Sequence, residues 1–114
     1  LEPVDEENGC VRYVQGSHMK GMRPHGRTQT LGFSQGLTDF GTVEDLQNEV
    51  YFPCQAGDLL VHHSLTIHRA DGNQSVDRTR KALGFIYYAQ QAKEDTEKKL
   101  AYQEKLKQEI RGKS

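Results

Sequence analysis

Five histidines stand in this chain, at His18, His25, His62, His63 and His68, and their spacing decides which can act together. Adjacent residues on a strand point to opposite faces, so His62 and His63 cannot both serve one metal ion. No cysteine lies close to them in sequence, which argues against a structural zinc centre. The chain has no His-Glu-x-x-His, no phosphate-cradling glycine motif and no Gly-x-Ser-x-Gly, which argues against zinc proteases, P-loop or Rossmann nucleotide enzymes and serine hydrolases. The span from Gly57 to Tyr88 keeps chemistry in play. It reads as a hairpin with His68 at the far end of the outgoing strand and Arg78 and Arg80 entering the returning one. A neutral imidazole can ligate Fe(II), and a nearby guanidinium can grip a carboxylate through two parallel hydrogen bonds. Together they make half of a site for an iron-bound organic diacid.

Strands must hold these groups, and turn chemistry marks where strands run. Asn8-Gly9 is a strong turn signal; the β-branched and aromatic run Cys10-Val11-Arg12-Tyr13-Val14 follows it as a strand that ends at Gln15-Gly16-Ser17. Residues 18–47 carry Gly21, Gly26, Gly32, Gly36 and Gly41 among scattered apolar positions, which reads as one long loop, functional or disordered. Inside it, Thr42 as N-cap with Asp45 three residues on allows one helical turn over 42–47. A strand is expected over 48–52, broken by Pro53. After the turn at Gln55-Ala56-Gly57-Asp58, the run from Leu59 to His63 is the most strand-like in the chain, and Leu65 to His68 continues it or starts another. Asp71-Gly72-Asn73 marks a turn, and Ala82 to Tyr88 a last strand. Short strands with glycine-rich turns predict an all-β antiparallel barrel or sandwich. Beyond residue 90 the period changes. Tyr102, Leu106 and Ile110 recur every fourth position among Lys and Glu, which predicts an amphipathic helix from near Asp95, packed on the barrel or binding a partner.

Composition narrows the class. Apolar residues make up 34% of the 114, and Trp is absent, so the core is thin. No apolar run approaches the roughly 20 residues of a membrane span. The acidic opening Leu1-Glu2-Pro3-Val4-Asp5-Glu6-Glu7 is neither a secretory signal nor a transit peptide. Position 1 is not Met, and a piece of a longer protein is expected. Fifteen basic residues balance sixteen acidic ones, leaving no basic field for nucleic acid. Cys10 and Cys54 lack metal-type spacing and are too few for a disulfide scaffold; a reducing, cytoplasmic setting is expected, with one cross-strand disulfide left open.

Two blocks resemble a known family. Val4-Asp5-Glu6-Glu7-Asn8-Gly9 through Gln15-Gly16-Ser17-His18 is similar to the D-E-x-N-G-x-x-x-x-x-P-G-S-H segment of the phytanoyl-CoA dioxygenase family. Ala56-Gly57-Asp58-Leu59-Leu60-Val61-His62-His63-Ser64-Leu65-Thr66-Ile67-His68, followed by Asn73, Ser75 and Arg80-Lys81-Ala82-Leu83, resembles that family's C-terminal block. The resemblance spans residues 4–89, in the family's order. It implies the C-terminal half of a double-stranded β-helix, a cupin-like jelly roll, over residues 1–89, with the charged helical tail 90–114 outside it. It also implies an Fe(II)- and 2-oxoglutarate-dependent dioxygenase that hydroxylates a small organic or acyl substrate. The family's iron sits in a 2-His-1-carboxylate triad. By resemblance His68 is the distal iron-binding histidine and Arg80 pairs with the far carboxylate of 2-oxoglutarate. His63 supports the ligands or faces the cosubstrate. His18 and His25 lie in loops over the active-site mouth, where they touch substrate or stay solvated.

The chain departs from the family in three respects. No histidine is followed two residues on by Asp, so the proximal His-x-Asp pair is absent and the chain looks like the C-terminal half of the enzyme, inactive alone. The His68-to-Arg80 interval is one residue longer than usual, so Arg78 competes for the arginine's role. Ala70 stands where relatives often offer a hydroxyl, and Gln15 replaces a common Pro. A half β-helix leaves strand edges unpaired and should self-associate through them. The rival reading is a non-catalytic cupin-like binding or interaction module without metal. A third has two copies building a metal site from His63 and His68 of each.

Overall fold

The computed structural model describes residues 1–28 and 35–111 and divides into two compact units, Leu1–Ala82 and Leu83–Ser114. In the first unit, strand β1 (Val11–Val14) lies between β4 (Glu49–Tyr51) and β5 (His68–Ala70) in a three-stranded antiparallel sheet. Strands β2 (His25–Arg27) and β3 (Gln35–Leu37) form a second, two-stranded antiparallel sheet. Between the sheets in sequence come a 3-10 turn at Ser17–Met19 and the short helix α1 (Val43–Gln47). The second unit carries helix α2 (Thr96–Arg111).

β1 starts where the Asn8-Gly9 turn launches it. The Asp5 carbonyl accepts from the amides of Gly9 at 3.1 Å and Cys10 at 2.8 Å. The Asn8 side chain, fully buried, accepts from the Asp5 amide at 2.7 Å and donates to the carbonyls of Pro3 at 3.0 Å and Thr79 at 3.2 Å. Gly9 is required here. Its φ of 93° is left-handed, and a Cβ would press into the carbonyl oxygen of Asp71.

Register fixes two faces. Arg12 pairs with Tyr51 and Arg69, while Tyr13 pairs with Val50 and His68; side chains alternate between faces along a strand. On the Arg12 face, the Glu49 carboxylate accepts from Arg12 Nη1 at 3.0 Å, Arg69 Nε at 2.7 Å and Arg69 Nη2 at 2.8 Å, and Arg12 also pairs with Asp71. The guanidinium carbon of Arg12 sits 4.8 Å from the Tyr51 ring centre, and that of Arg69 4.7 Å from Phe40. Among the described residues the buried apolar side chains are Cys10 and Val14, beside buried Asn8, Arg12, Ser17 and Asp45. This core is held by hydrogen-bonded polar groups as much as by apolar contact, although the buried Arg12 Nε has no partner.

Helix α1 begins as its sequence predicts. Thr42 Oγ1 accepts from the Asp45 amide at 3.1 Å, and Asp45 Oδ2 accepts from the amides of Thr42 at 3.1 Å and Gly41 at 3.0 Å, a capping box. Arg23 adds a fork onto Asp45, Nη1 to Oδ1 at 2.7 Å and Nη2 to Oδ2 at 3.0 Å. Helix α2 likewise starts at its predicted place: Asp95 accepts from the Lys98 amide with its side chain at 3.1 Å and from the Lys99 amide with its carbonyl at 3.0 Å.

Elsewhere the structure differs from expectation. The runs Leu59 to His63 and Ala82 to Tyr88 are not strands, and Leu59, Val61, Phe85 and Tyr87 are between 70% and 89% exposed. β-propensity describes side chains that suit a half-buried pleated surface; the backbone still needs a ladder partner, and neither run has one among the described residues. The Gly57-to-Tyr88 hairpin is therefore absent, and β5 pairs with β1 instead. A tight turn, with the Thr66 amide donating to the His63 carbonyl at 2.9 Å, separates the Leu59 run from β5. The expected 18–47 loop contains β2, β3 and α1; its residues 29–34 lie outside the described residues, as do 112–114 of the tail. Both cysteines are free thiols.

Candidate functional site

His68 opens β5 directly opposite Tyr13. Its Nδ1 lies 3.0 Å from the Thr66 carbonyl oxygen. A carbonyl only accepts, so Nδ1 carries a proton, and in this tautomer the imidazole lone pair lies on Nε2. His62 lies beside it, ring centres 4.8 Å apart and planes inclined by 43°. Tyr13 touches both imidazoles, at 5.0 Å from His62 and 6.1 Å from His68, and stands edge-on to Phe52 at 5.2 Å. Its hydroxyl and His62 Nδ1 share a hydrogen bond of 2.8 Å, and because a phenol both donates and accepts, either His62 tautomer satisfies it. Partial burial, with the neighbouring His68, pushes the His62 pKa below the ordinary histidine value; burial raises that of Tyr13. At neutral pH the cluster is uncharged at Tyr13 and favours neutral imidazole at His62.

The other histidines go elsewhere. His63 Nδ1 accepts from the Leu65 amide at 3.0 Å, which places the proton of its neutral ring on Nε2, and its ring lies 5.8 Å from His18 in the 3-10 turn. His25, in β2, bonds through Nδ1 to the Arg23 carbonyl at 2.6 Å and lines an open groove with Met22, Pro24 and Gln35. The sequence thus singled out His68 and His63, whereas the structure sets His68 with His62 and Tyr13. Neither of those was among the predicted site residues. Tyr13 carried one usable signal, its place in the middle of a predicted strand; the strand's partner was not legible.

The two arginines have different surroundings. Arg78 is committed: its fork donates to Asp5 Oδ1 at 2.8 Å and Oδ2 at 3.1 Å, and to Glu7 at 3.1 Å. These bonds hold the Asp5 carboxyl below the usual range and raise Arg78. Arg80 donates Nη1 to the Gly9 carbonyl at 3.0 Å; a guanidinium carries five N–H donors, so most of its capacity is free of partners among the described residues. Its anchor at Gly9 precedes the first rung of β1, Val11 opposite Ala70, while His68 stands on the third rung opposite Tyr13.

The ligand inventory is partial. Among the described residues no group of three His, Cys, Asp or Glu is placed to hold one metal ion. The carboxylate of the sheet strands, Glu49, sits on the opposite face in the hands of Arg69 and Arg12, which lower its pKa. These residues supply imidazoles and no carboxylate, so they do not by themselves make a 2-His-1-carboxylate site.

Comparison with known proteins places the chain. Residues 1–82 match the family model of phytanoyl-CoA dioxygenase (PhyH). Phytanoyl-CoA dioxygenase domain-containing protein 1 of Bos taurus is 30% identical over 87 residues, 75% of this chain and 30% of the relative. Its Danio rerio namesake is 34% identical over 89 residues, 75% of this chain and 30% of that protein. The 1-deoxypentalenic acid 11-beta-hydroxylase of Streptomyces arenae is 32% identical over 83 residues, 68% of this chain and 28% of the enzyme. No solved structure gives a significant match. The chain spans about 30% of the length of the curated relatives it matches. It belongs to the phytanoyl-CoA dioxygenase family.

Proposed function

We propose that the chain is the C-terminal part of an Fe(II)- and 2-oxoglutarate-dependent dioxygenase that hydroxylates a small organic or acyl substrate, its two small sheets being part of a double-stranded β-helix. The observation that carries this reading is the state of His68. Its Nδ1 is anchored on a backbone carbonyl and its Nε2 lone pair is available, the arrangement that orients an imidazole toward a metal. Arg80 supports it with an underused guanidinium, while Arg78 is spent on Asp5 and Glu7. The remaining ligands, a His-x-Asp pair, come from residues upstream. When bound, iron and 2-oxoglutarate supply the oxidising chemistry. This chain's part is to present the distal histidine at His68, to hold the cosubstrate's far carboxylate at Arg80, and to wall the site with Tyr13 and Phe52. His63, His18 and His25 are candidates for cosubstrate or substrate contact from the rim.

The hydroxylase among the relatives favours an oxygenase over a non-catalytic module. No helix among the described residues is long and apolar enough to cross a membrane. The chain alone should self-associate, because β4 and β5 are the outer strands of their sheet and the Leu59 and Leu83-to-Tyr88 runs are exposed.

The test is an anaerobic titration with Fe(II) and 2-oxoglutarate, watching for their visible charge-transfer band. The 114 residues alone should give none, and the chain extended by its own upstream residues should give it, with Arg80→Ala abolishing it. Failure of the extended protein to develop the band leaves the non-catalytic module as the better reading.

A further inference from the structure

We propose that Asn8 is a deamidation site held closed by the fold: its conversion to aspartate or isoaspartate records openings of the chain and prevents the opened chain from closing again. The proposal is independent of the dioxygenase reading.

The sequence supplies the reactivity. Asn-Gly occurs once in the chain, at Asn8-Gly9, while Asn48 and Asn73 precede Glu49 and Gln74. With no Cβ on the following residue, the backbone nitrogen can approach the asparagine side chain, and asparagine in that setting is thermolabile. The Gly9 nitrogen attacks Asn8 Cγ: a C–N bond forms, the Cγ–Nδ2 bond breaks, ammonia leaves and the amide proton passes to water. Water then opens the cyclic imide at either carbonyl, leaving aspartate or isoaspartate at position 8.

The structure restrains both partners of that step. Asn8 is 0% exposed. Its Oδ1 accepts from the Asp5 amide at 2.7 Å, and its Nδ2 donates to the carbonyls of Pro3 at 3.0 Å and Thr79 at 3.2 Å, so attack requires these bonds to break. The Gly9 N–H is itself donated to the Asp5 carbonyl at 3.1 Å. Reaction therefore waits on local opening, and where opening and closing are faster than the chemistry its rate follows the open fraction. The product does not fit the site. A carboxylate has no proton to give the Pro3 and Thr79 carbonyls, and it is a buried charge beside the Asp5 carboxylate, whose Oδ1 lies 3.4 Å from the Asn8 amide nitrogen. Isoaspartate also adds a carbon to the backbone just before Gly9, whose close approach to the Asp71 carbonyl leaves no slack. Either product unties the seam between residues 5–9 and the 79–80 segment, where Arg80 also donates to the Gly9 carbonyl at 3.0 Å.

The experiment incubates the unaltered 114-residue chain in mildly alkaline buffer, with and without urea, and follows residue 8 by peptide mapping and fragmentation mass spectrometry. The expected result is conversion at least about tenfold faster in urea than in buffer, since only the open chain reacts, with Asn48 and Asn73 intact in both. Arg78→Ala removes the bonds to Asp5 and Glu7 without touching residues 8 and 9. It should speed conversion in buffer severalfold and leave the rate in urea unchanged. Equal rates for the unaltered chain in buffer and in urea, or no conversion in urea, overturn the proposal, and both readings come from the unaltered protein even where the variant fails to fold. For the second half, chain converted in urea and returned to buffer should not regain the amide chemical shifts of β1, whereas unconverted chain should. Full recovery by the converted chain, or an Asn8→Asp variant that melts with the unaltered protein, overturns the claim that the product cannot close.

Discussion

Tyr13 and His68 face each other across the β1–β5 ladder, ring centres 6.1 Å apart and planes inclined by 50°. That rung joins two segments more than fifty residues apart in sequence, and it brings His62 along through the Tyr13 hydroxyl. The opposite face of the same strand carries Arg12 in its grip on Glu49. One short strand thus separates the face that could do chemistry from the face that holds the sheet together.

Gly9→Ala should be far more damaging than Gly57→Ala. Both glycines have φ of 93°, but a Cβ at Gly9 meets the Asp71 carbonyl and one at Gly57 meets open space. The left-handed conformation alone costs about 1–2 kcal/mol for a residue with a Cβ, so Gly57→Ala should cost that much in urea denaturation. Gly9→Ala should exceed it, because β1 and the 71–80 turn must separate. Equal costs would show that the Asp71 contact relaxes freely.

Glu49→Ala should destabilise the fold by about 3 kcal/mol, the low end for breaking a buried ion pair, since Arg69 is partly solvated. Arg12 is the reason. Its side chain is 8% exposed and would lose its best partner. A loss below about 1 kcal/mol, the value of a surface pair, would mean that Asp71 compensates.

Acid should unfold the region around α1. The Arg23 fork, aided by the Gly41 and Thr42 amides, holds the Asp45 carboxyl well below the usual range. Its stabilisation is complete above the unfolded aspartate pKa, about 4, and fades as pH falls toward its lower folded value. Asp45→Asn should therefore lower stability at neutral pH and flatten the acid limb of a stability-against-pH curve. An unchanged acid limb would move the responsibility to Asp5 and Glu49.

In the extended protein, Arg80→Lys should weaken 2-oxoglutarate binding by at least about tenfold, because an ammonium cannot make the two parallel bonds of a guanidinium. Arg78→Lys should leave that affinity alone and lower the melting temperature through Asp5 and Glu7. Reversed outcomes would exchange the roles of the two arginines.

Local chemistry was legible in the sequence and pairing was not. The Asn8-Gly9 turn, the β1 run, the Thr42–Asp45 cap, β4 and the start of α2 near Asp95 are each specified within a few residues, and each stands where the sequence put it. Leu59 to His63 and Ala82 to Tyr88 have the right side chains for strands, but a strand is completed by a neighbour. β5 was assigned to the returning 82–88 run and instead lies on β1. The β2–β3 pair was hidden because Gly26 and Gly36, which look like loop residues, face each other across it. The same non-local pairing concealed Tyr13 and His62: only the register that sets Tyr13 opposite His68 makes them members of one cluster.

Among the described residues, buried Asn8, Arg12, Ser17 and Asp45 outnumber buried Cys10 and Val14, and this has a calorimetric consequence. Exposing apolar surface raises the heat capacity on unfolding, while exposing polar surface lowers it, the two leaving about 12–15 cal/mol/K per residue in an ordinary domain. With so little apolar area to release, this chain should fall well below that figure. Its stability curve should be shallow, its melting broad, and its tolerance of cold better than that of a domain built around a greasy centre.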